Sequence, residues 1–268
     1  MRQKGGNDGL MTFGGHLEVL RGILFRVLGV SCAAAITVFC LKDITWRVLL
    51  APSEWDFVTY SWIERLADAV GMDGFHFDRF YVKLIATDLT SQFMTHLTTS
   101  VYLGLLAASP YILYELFRFV SPALFDNERR YSVRVIVAVY VLFLLGVLIS
   151  YYVLFPISFR FLGTYSVSAK VESAITLDSY VSTFVTLTLM MGVVFQLPVI
   201  SFVLAKMGVV NAGVLTRYRK HAFIAILTVA AIITPGQDIL SLTLVSLPLY
   251  LLYELSIFIV HRVGRRGG

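Results

Sequence analysis

The chain has 268 residues, of which 57% are hydrophobic and only 15% charged, and its mean hydropathy is +0.78. Soluble domains carry about 25% charged residues, so this composition excludes an ordinary soluble domain and indicates a membrane protein. The formal net charge of +5 does not indicate nucleic-acid binding. Surplus Lys and Arg typically mark the cytoplasmic loops of membrane proteins, and no aromatic-basic nucleic-acid motif accompanies them here.

Six apolar segments follow one another along the chain, and each is predicted to cross the membrane as a helix. The fifth segment has about 14 residues and would span about 21 Å, less than the ~30 Å thickness of a hydrocarbon core. Such a short helix must thin the bilayer or be covered at its ends by neighbours. The predicted spans are residues 22–41, 97–117, 133–154, 181–204, 221–234 and 238–260.

The basic residues predict which way the chain is oriented. With the N-terminus in the cytoplasm, fifteen of the 22 Lys and Arg residues fall in inner segments and seven in outer ones. The positive-inside rule therefore predicts that both termini are cytoplasmic. The cytoplasmic N-terminal segment then covers residues 1–21, and the two substantial outer loops cover residues 42–96 and 156–178 of a single domain, residues 1–268.

The first outer loop is predicted to contain a short amphipathic helix. Its apolar residues recur at helical spacing, which indicates a helix that lies at the outer surface or caps the bundle. These residues are Trp62, Ile63, Leu66 and Val70.

No motif for catalysis, phosphate binding or a prosthetic group is present, so neither an enzyme nor a cofactor is predicted. Cys32 and Cys40 are eight residues apart in the first span, about 12 Å along a helix. They are therefore predicted to be small core residues and not a disulfide or a metal site. The five histidines are scattered at span ends and in loops, where an interfacial position is predicted: His16, His76, His96, His221 and His261.

Gln196 lies in the inner half of the fourth span, where an uncompensated amide is costly to bury. Two interpretations stay open. Its side chain could bond the backbone carbonyl that Pro198 leaves free, or it could line a polar cavity that admits a substrate segment.

Glu128 stands in the cytoplasmic segment SPALFDNERR, residues 121–130. A carboxylate is the natural partner of a guanidinium, although a solvated network with Arg129 and its neighbours is the simpler interpretation. The segment GGHLEVLRGIL, residues 14–24, is predicted to form an interfacial helix in which Glu18 and Arg21 can pair with each other. The tetrapeptide LYEL occurs at residues 113–116 and again at 252–255, either as a weak internal repeat or by chance.

Taken together, the segments resemble TatC, the multi-spanning subunit of the twin-arginine protein translocase. HLEVLR at residues 16–21 resembles the N-terminal signature of the family, and SPYILYELFRFVSPALFDNERR at residues 109–130 is its most specific block. The other similar segments follow in the family's order: IATDLTSQF, GVVFQLPV, TPGQD and PLYLLYELSIF.

The resemblance implies an all-α integral membrane protein with a concave groove that acts as a receptor. It would bind Arg-Arg signal peptides of folded precursors at the cytoplasmic face and assemble with single-span partners of the TatA and TatB type, and with itself, in the bacterial cytoplasmic membrane. By position, Glu128 would pair with the signal arginines, and Phe119 would belong to the same patch. Glu18 and Arg21 would complete the patch, while Gln196 would lie in the intramembrane groove.

The resemblance also implies structural or partner-contact positions, which are Pro52, Pro122, Arg129 and Asp238. The chain departs from the family pattern in three places. The family's N-terminal glutamate falls on Val19, one residue after Glu18; the TPGQD turn is one residue longer than usual; and the first outer loop is expanded.

Three other functions compete with this interpretation. A secondary transporter would need broken helices and coupling-ion ligands, and the spans show no cluster of Asp, Lys or Arg in the sequence. An intramembrane enzyme would need a catalytic dyad at matched depth. A passive assembly scaffold would tolerate the loss of Glu128, whereas a receptor would not.

Overall fold

The computed structural model of the protein describes residues 13–71, 78–120, 129–166, 168, 174–234, 236 and 238–266, without the side chains of residues 13–17, 120, 129–134 and 264–266. The elements are α1 (Phe13–Cys40), α2 (Lys42–Leu50), a 3-10 turn (Ala51–Ser53), α3 (Val58–Ala69), β1 (Lys83–Ile85), α4 (Ser91–Val120), α5 (Arg129–Ile149), a π-helical turn (Ser150–Leu154), α6 (Phe155–Thr164), β2 (Ala174–Thr176), α7 (Leu177–Val194), α8 (Leu197–Lys206), α9 (Ala212–Arg217), α10 (Arg219–Ile233) and α11 (Ile239–Arg266).

Five helical segments in the described part of the chain are long and apolar enough to cross a membrane. They match the predicted first, second, third, fourth and sixth spans, and the all-α membrane fold is confirmed. Helix α10 has 15 residues and lies where the short fifth span is predicted. Whether α10 crosses the membrane, and on which side the termini lie, stay predictions. The five segments are Glu18–Cys40, Ser91–Phe119, Val135–Thr164, Leu177–Lys206 and Ile239–Val263.

The third span continues further than the sequence predicts. The second outer loop is predicted to begin at Pro156, but the helix runs on to Thr164. Two local features explain the difference. A π-helical turn precedes α6, and the Tyr152 carbonyl, which the missing N–H of Pro156 leaves without a helical donor, accepts a hydrogen bond from the Thr59 hydroxyl instead. The outer loop therefore begins after Thr164, and β2 lies within it.

Helix α1 packs mainly along α4, and the two helices run antiparallel. Their backbones approach most closely where Gly104 faces Ala35, because a Cβ atom on Gly104 would stand 2.5 Å from the Ala35 Cα. Towards the outer end of this seam, the rings of Phe39 and His96 stack at 4.4 Å. None of the described α1 side chains is fully buried, so α1 lies against one face of the bundle. Cys32 and Cys40 are free and exposed on α1, which corrects the prediction that they are core residues.

The main hydrophobic core lies towards the predicted outer side. Phe155 meets the rings of Tyr180 and Phe184 edge to face at 5.1 and 5.0 Å, and Leu49 packs in the same cluster. The Tyr180 hydroxyl donates a 2.8 Å hydrogen bond to the Leu49 carbonyl and so ties α7 to α2. The parallel strands β1 and β2 join the two outer loops, a contact that the sequence does not predict. The predicted outer side is thus held by aromatic packing and by a short sheet.

Helix α3 confirms the amphipathic helix predicted in the first outer loop. However, the residues on which the prediction rests are largely exposed: Trp62 is 51%, Leu66 65% and Val70 78% accessible. The helix is held instead through its first turn, where Thr59 and Tyr60 are buried. Its apolar side is therefore available to the membrane surface.

Tyr60 anchors α3 to the beginning of α6. Its hydroxyl donates a 3.0 Å hydrogen bond to the Pro156 carbonyl, and the Arg160 guanidinium lies 5.4 Å from its ring centre. Burial raises the pKa of Tyr60 above its ordinary value, although the charge of Arg160 opposes the shift. The hydroxyl therefore stays protonated, and remains a donor, throughout the physiological pH range.

Replacement of Tyr60 by phenylalanine is expected to lower the free energy of unfolding by about 1 kcal/mol, because the buried Pro156 carbonyl loses its donor. Denaturant unfolding of the detergent-solubilised protein measures this change. Tyr81→Phe is the matched control, since Tyr81 is 89% exposed and should change nothing. Equal stability of the two variants would show that the hydroxyl of Tyr60 does not hold α3.

Candidate functional site

The predicted site residues on α1 and α4 lie at about the same height along the helix pair. Arg26 contacts Glu115 across the α1–α4 seam, which fixes the antiparallel register near the predicted inner end. Arg21 lies five residues before Arg26, or about 7.5 Å along α1, and Phe119 lies four residues after Glu115, or about 6 Å along α4. The helix geometry therefore brings Arg21 level with Phe119.

Glu18 and Arg21 are both exposed at this end of α1. Among the described residues they do not pair with each other, as the sequence allowed; instead, the Arg21 guanidinium lies 5.6 Å from the ring centre of Phe25. Val19 is seven residues before Arg26 and so faces nearly the same side of the helix, towards the seam with α4. Glu18 is turned about 100° from Val19.

The other predicted patch residues stand at the junction of α4 and α5. Phe119 is partly buried in the last turn of α4. Glu128 and Pro122 lie outside the described residues. Arg129 is the first residue of α5, and its side chain is also outside the described part.

Gln196 stands at a break in the fourth span, between α7 and α8. Its side chain is buried, and its amide nitrogen donates to the Val139 carbonyl of α5 at 3.1 Å and to the Gly192 carbonyl at 3.4 Å. The Gly192 carbonyl is available because the backbone N–H of Gln196 donates to the Val193 carbonyl instead. This geometry favours the interpretation in which the Gln196 side chain bonds a backbone carbonyl. The carbonyls are those of Gly192 and Val139, not the one that Pro198 leaves free.

A lateral cavity of about 310 Å³ opens between α4 and α7, and Gln196 does not line it. Its polar lining comes from both helices and includes Thr98, Asp178, Ser182 and Thr186. The role of Gln196 in an intramembrane groove therefore stays a prediction.

The two predicted outer-turn positions make direct contacts that shape their own turns. Pro52 is fully buried in the 3-10 turn that follows α2. Asp238 precedes α11 and accepts a 2.7 Å hydrogen bond from the backbone N–H of Ser241, as an N-cap residue does. Both residues therefore have a structural role, whereas contact with a partner stays a prediction.

Sequence reasoning missed an ion pair inside the predicted spans. The Arg26 Nε and Nη2 atoms donate to the two carboxylate oxygens of Glu115 at 3.2 and 3.1 Å, and the Tyr111 hydroxyl donates to the same carboxylate at 3.0 Å. The Glu115 side chain is 4% exposed and that of Arg26 is 53% exposed. We call Arg26, Glu115 and Tyr111 the α1–α4 clamp. One charge in each of two antiparallel spans, at matching distance from the same end, is the signal that could have revealed it.

The second LYEL segment forms a similar contact. Arg219, at the start of α10, donates to Glu254 of α11 at 2.7 Å, and the Tyr250 hydroxyl donates to the same carboxylate at 3.2 Å. Each LYEL glutamate thus accepts from a tyrosine four residues earlier and from an arginine on another helix. The Glu254 side chain is 32% exposed, so this second contact is more accessible to solvent.

The described residues hold two ion pairs between helices and, near the start of α1, the exposed Glu18 and Arg21. Within the described part of the chain, no three His, Cys, Asp or Glu side chains come together as metal ligands would. A guanidinium needs only a carboxylate for two parallel hydrogen bonds, with an aromatic ring beside it.

These features define a multi-pass, predominantly helical membrane protein with ion pairs between its helices. Comparison with known proteins then identifies its family. Residues 15–248 match the profile described as Sec-independent protein translocase protein (TatC). The chain belongs to the TatC family and is a multi-pass membrane protein of bacteria, a component of a Sec-independent protein translocase.

Individual relatives support the same assignment. The chain is 33% identical over 259 residues to the TatC protein of Blattabacterium sp. subsp. Periplaneta americana, covering 96% of this chain and 97% of the relative. It is 38% identical over 184 residues to the TatCy protein of Bacillus subtilis, covering 69% and 72% of the two chains. A crystal structure of the twin arginine translocase receptor TatC superposes with a TM-score of 0.71 at 28% identity, covering 91% of this chain and 97% of the other.

Proposed function

We propose that this protein is the receptor for Arg-Arg signal peptides in its translocase, and that it binds them at its cytoplasmic face. We define the recognition patch as Glu18, Arg21, Phe119 and Glu128. The observation that carries the proposal is the common level of Arg21 and Phe119 at one end of the α1–α4 pair, next to the junction that contains Glu128. A solved relative described as a twin arginine translocase receptor supports it.

Glu128 is the residue that we propose pairs with the signal arginines. A guanidinium donates two parallel hydrogen bonds to one carboxylate, whereas a lysine ammonium is a point charge without that geometry. Phe119 offers an aromatic face against which a guanidinium can stack. Arg129 is proposed to repel other cations, so that charge reversal at this position relaxes the preference for Arg-Arg over Lys-Lys.

The remaining parts of the proposal concern transport and assembly. The protein does no chemistry of its own in this proposal; it holds the signal peptide and nucleates a complex with single-span partners of the TatA and TatB type and with further copies of itself. The hydrophobic part of the signal would lie along the spans near Gln196, and Pro52 and Asp238 would serve contacts on the outer side. The lipid bilayer surrounds the assembly.

The test is site-specific photo-crosslinking from Phe119 and from Asn127, the neighbour of Glu128, to a radiolabelled precursor in membrane vesicles, so that the Glu128 carboxylate is kept. Each position carries the photoreactive residue in turn, and precursors with Arg-Arg and Lys-Lys signals are compared. The proposal expects a crosslink with Arg-Arg that falls at least tenfold with Lys-Lys. The same residue placed at Trp55, which is 48% exposed on the predicted outer side, is the matched control and should give no precursor crosslink.

Equal crosslinks from both signals would reduce the patch to a nonspecific surface. No crosslink at normal protein levels would favour a passive scaffold, which needs no recognition patch.

A further inference from the structure

Few contacts along the seam between α1 and α4 fix the position of α1 along the helix axis. A lipid-exposed helix gains little hydrophobic free energy from association, because lipid tails are as apolar as its partner. Close backbone packing at Gly104 and Ala35 gives proximity, and the stacked rings of Phe39 and His96 add contact near the outer end. The inner half of α1 has no fully buried side chain among those described. Something else must hold it against α4.

The α1–α4 clamp supplies a contact with defined geometry at this inner half. A carboxylate that accepts two parallel bonds from one guanidinium fixes both the distance and the relative angle of the two groups. Sliding α1 by one helical turn would move Arg26 by about 5.4 Å and break both bonds. Because Glu115 is 4% exposed, such a slide would leave its buried carboxylate without a hydrogen-bonded cation. The clamp therefore selects one register of α1 on α4.

The surrounding charges do not offer Glu115 a better partner. Arg118 lies three residues further along α4 and acts on Glu115 through its charge. Arg26 donates to Glu115 through Nε and Nη2, and its Nη1 lies 3.9 Å from where a Cβ atom on Gly22 would stand. Tyr111 fills a further acceptor position of Glu115. The pairing of Arg26 with Glu115 is thus specific within the described part of the seam.

We propose that Arg26 and Glu115 are positioning residues for signal recognition: their ion pair sets the height of the α1 half of the recognition patch, Glu18 and Arg21, against Phe119 on α4. This inference rests on the proposed receptor function and adds to it two residues that do not touch the signal. Rotation or sliding of α1 would separate Glu18 and Arg21 from Phe119, although no patch residue would itself be changed.

The experiment measures position and recognition in the same variants. Cys32 and Cys40 are first replaced by alanine, and spin labels are placed at Leu20 and Leu116, which are 45% and 58% exposed. Double electron–electron resonance in liposomes gives the α1–α4 distance distribution. Photo-crosslinking from Phe119 to an Arg-Arg precursor gives recognition.

Four changes are compared: Arg26→Gln, Arg26→Lys, Glu115→Gln and the exchanged pair Arg26→Glu with Glu115→Arg. We expect both glutamine variants to broaden the distance distribution and to lower the crosslink about tenfold. The exchanged pair should restore a narrow distribution and at least half of the crosslink. Arg219→Gln is the matched control, because it breaks the Tyr–Glu–Arg contact on α10 and α11 and should change neither readout.

An unchanged distribution in Arg26→Gln would overturn the proposal, as would a broad distribution with an undiminished crosslink. A narrow distribution without a crosslink in the exchanged pair would also overturn it, since the identity of Arg26 would then matter and not the position of α1. If the exchanged pair does not accumulate, the Arg26→Lys variant is used instead. In that variant a broad spin-label distance distribution should go with a weak crosslink and a narrow one with a strong crosslink. Any other combination contradicts the proposal. Failure of the receptor function itself is recognised separately, because the parent protein would then crosslink Arg-Arg and Lys-Lys precursors equally.

Discussion

Replacement of Glu128 by glutamine is expected to reduce binding of an Arg-Arg precursor about 100-fold. Two hydrogen bonds between a guanidinium and a carboxylate, at about 1.5 kcal/mol each, amount to about 3 kcal/mol, and each 1.4 kcal/mol is a tenfold change in affinity. The amide of glutamine keeps the size of the side chain but offers one acceptor and no charge. The measurement is the yield of precursor crosslinked from Phe119, together with export in vesicles.

Two comparisons make this result specific to Glu128. Glu54→Gln removes an exposed carboxylate on the predicted outer side and should leave binding unchanged. Glu18→Gln should cost less than Glu128→Gln, because Glu18 is turned about 100° from Val19, the position to which the family's glutamate maps. Binding within threefold of the parent in Glu128→Gln, at normal protein levels, would remove this residue from the proposed site.

Replacement of Gly104 by alanine is expected to destabilise the protein by about 1–3 kcal/mol, the usual cost of overpacking a close contact. An added Cβ would stand 2.5 Å from both the backbone nitrogen and the Cα of Ala35, so backbone atoms and not a flexible side chain would have to move. Helix association in membranes depends on this kind of close approach between small residues. Thermal unfolding in detergent measures the loss of stability. The spin-label distance between α1 and α4 measures whether α1 separates from α4.

Gly29→Ala is the matched control for this substitution. Gly29 is also glycine within a spanning helix, but nothing lies within 4 Å of the position where its Cβ would be. Alanine favours the helix over glycine, so Gly29→Ala should be neutral or slightly stabilising. If the two variants unfold at the same temperature, the closeness of α1 and α4 at Gly104 does not contribute to stability.

Hydrophobic length was enough to locate five of the six predicted spans, because the bilayer imposes about the same requirement on every crossing helix. It did not show where the third span ends. A proline is usually a sign that a helix stops, yet Pro156 stands in the first turn of α6, directly after a π-helical turn. The break between α7 and α8 was equally hidden, since the hydropathy of residues 181–204 is continuous while the backbone hydrogen bonding is not.

The candidate site shows the other limit of sequence reasoning. Family resemblance supplied Phe119 and Glu128, which stand in a specific motif. The resemblance did not point to Arg26, which lies outside the short motifs that resemble the family. It also did not point to the contact of Arg26 with Glu115, 89 residues away. The sequence shows no cluster of Asp, Lys or Arg in the spans, whereas Arg26 and Glu115 stand singly in two different spans. Only the register of α1 on α4 joins these charges, and a linear pattern encodes neither that register nor the close packing at Gly104 beside it.

Arg26 and Glu115 are 89 residues apart in the sequence, which has a consequence for the biogenesis of the protein. At about 5–20 residues per second, the 89 residues between them take roughly 4–18 s to synthesise. During that interval α1 is a lipid-solvated helix with a cation and no counter-ion. The long side chain of Arg26 can then reach the inner lipid headgroups, which would hold the newly inserted α1 in one orientation until Glu115 is synthesised. The same arginine would thus serve first as a topological anchor and later as half of an ion pair.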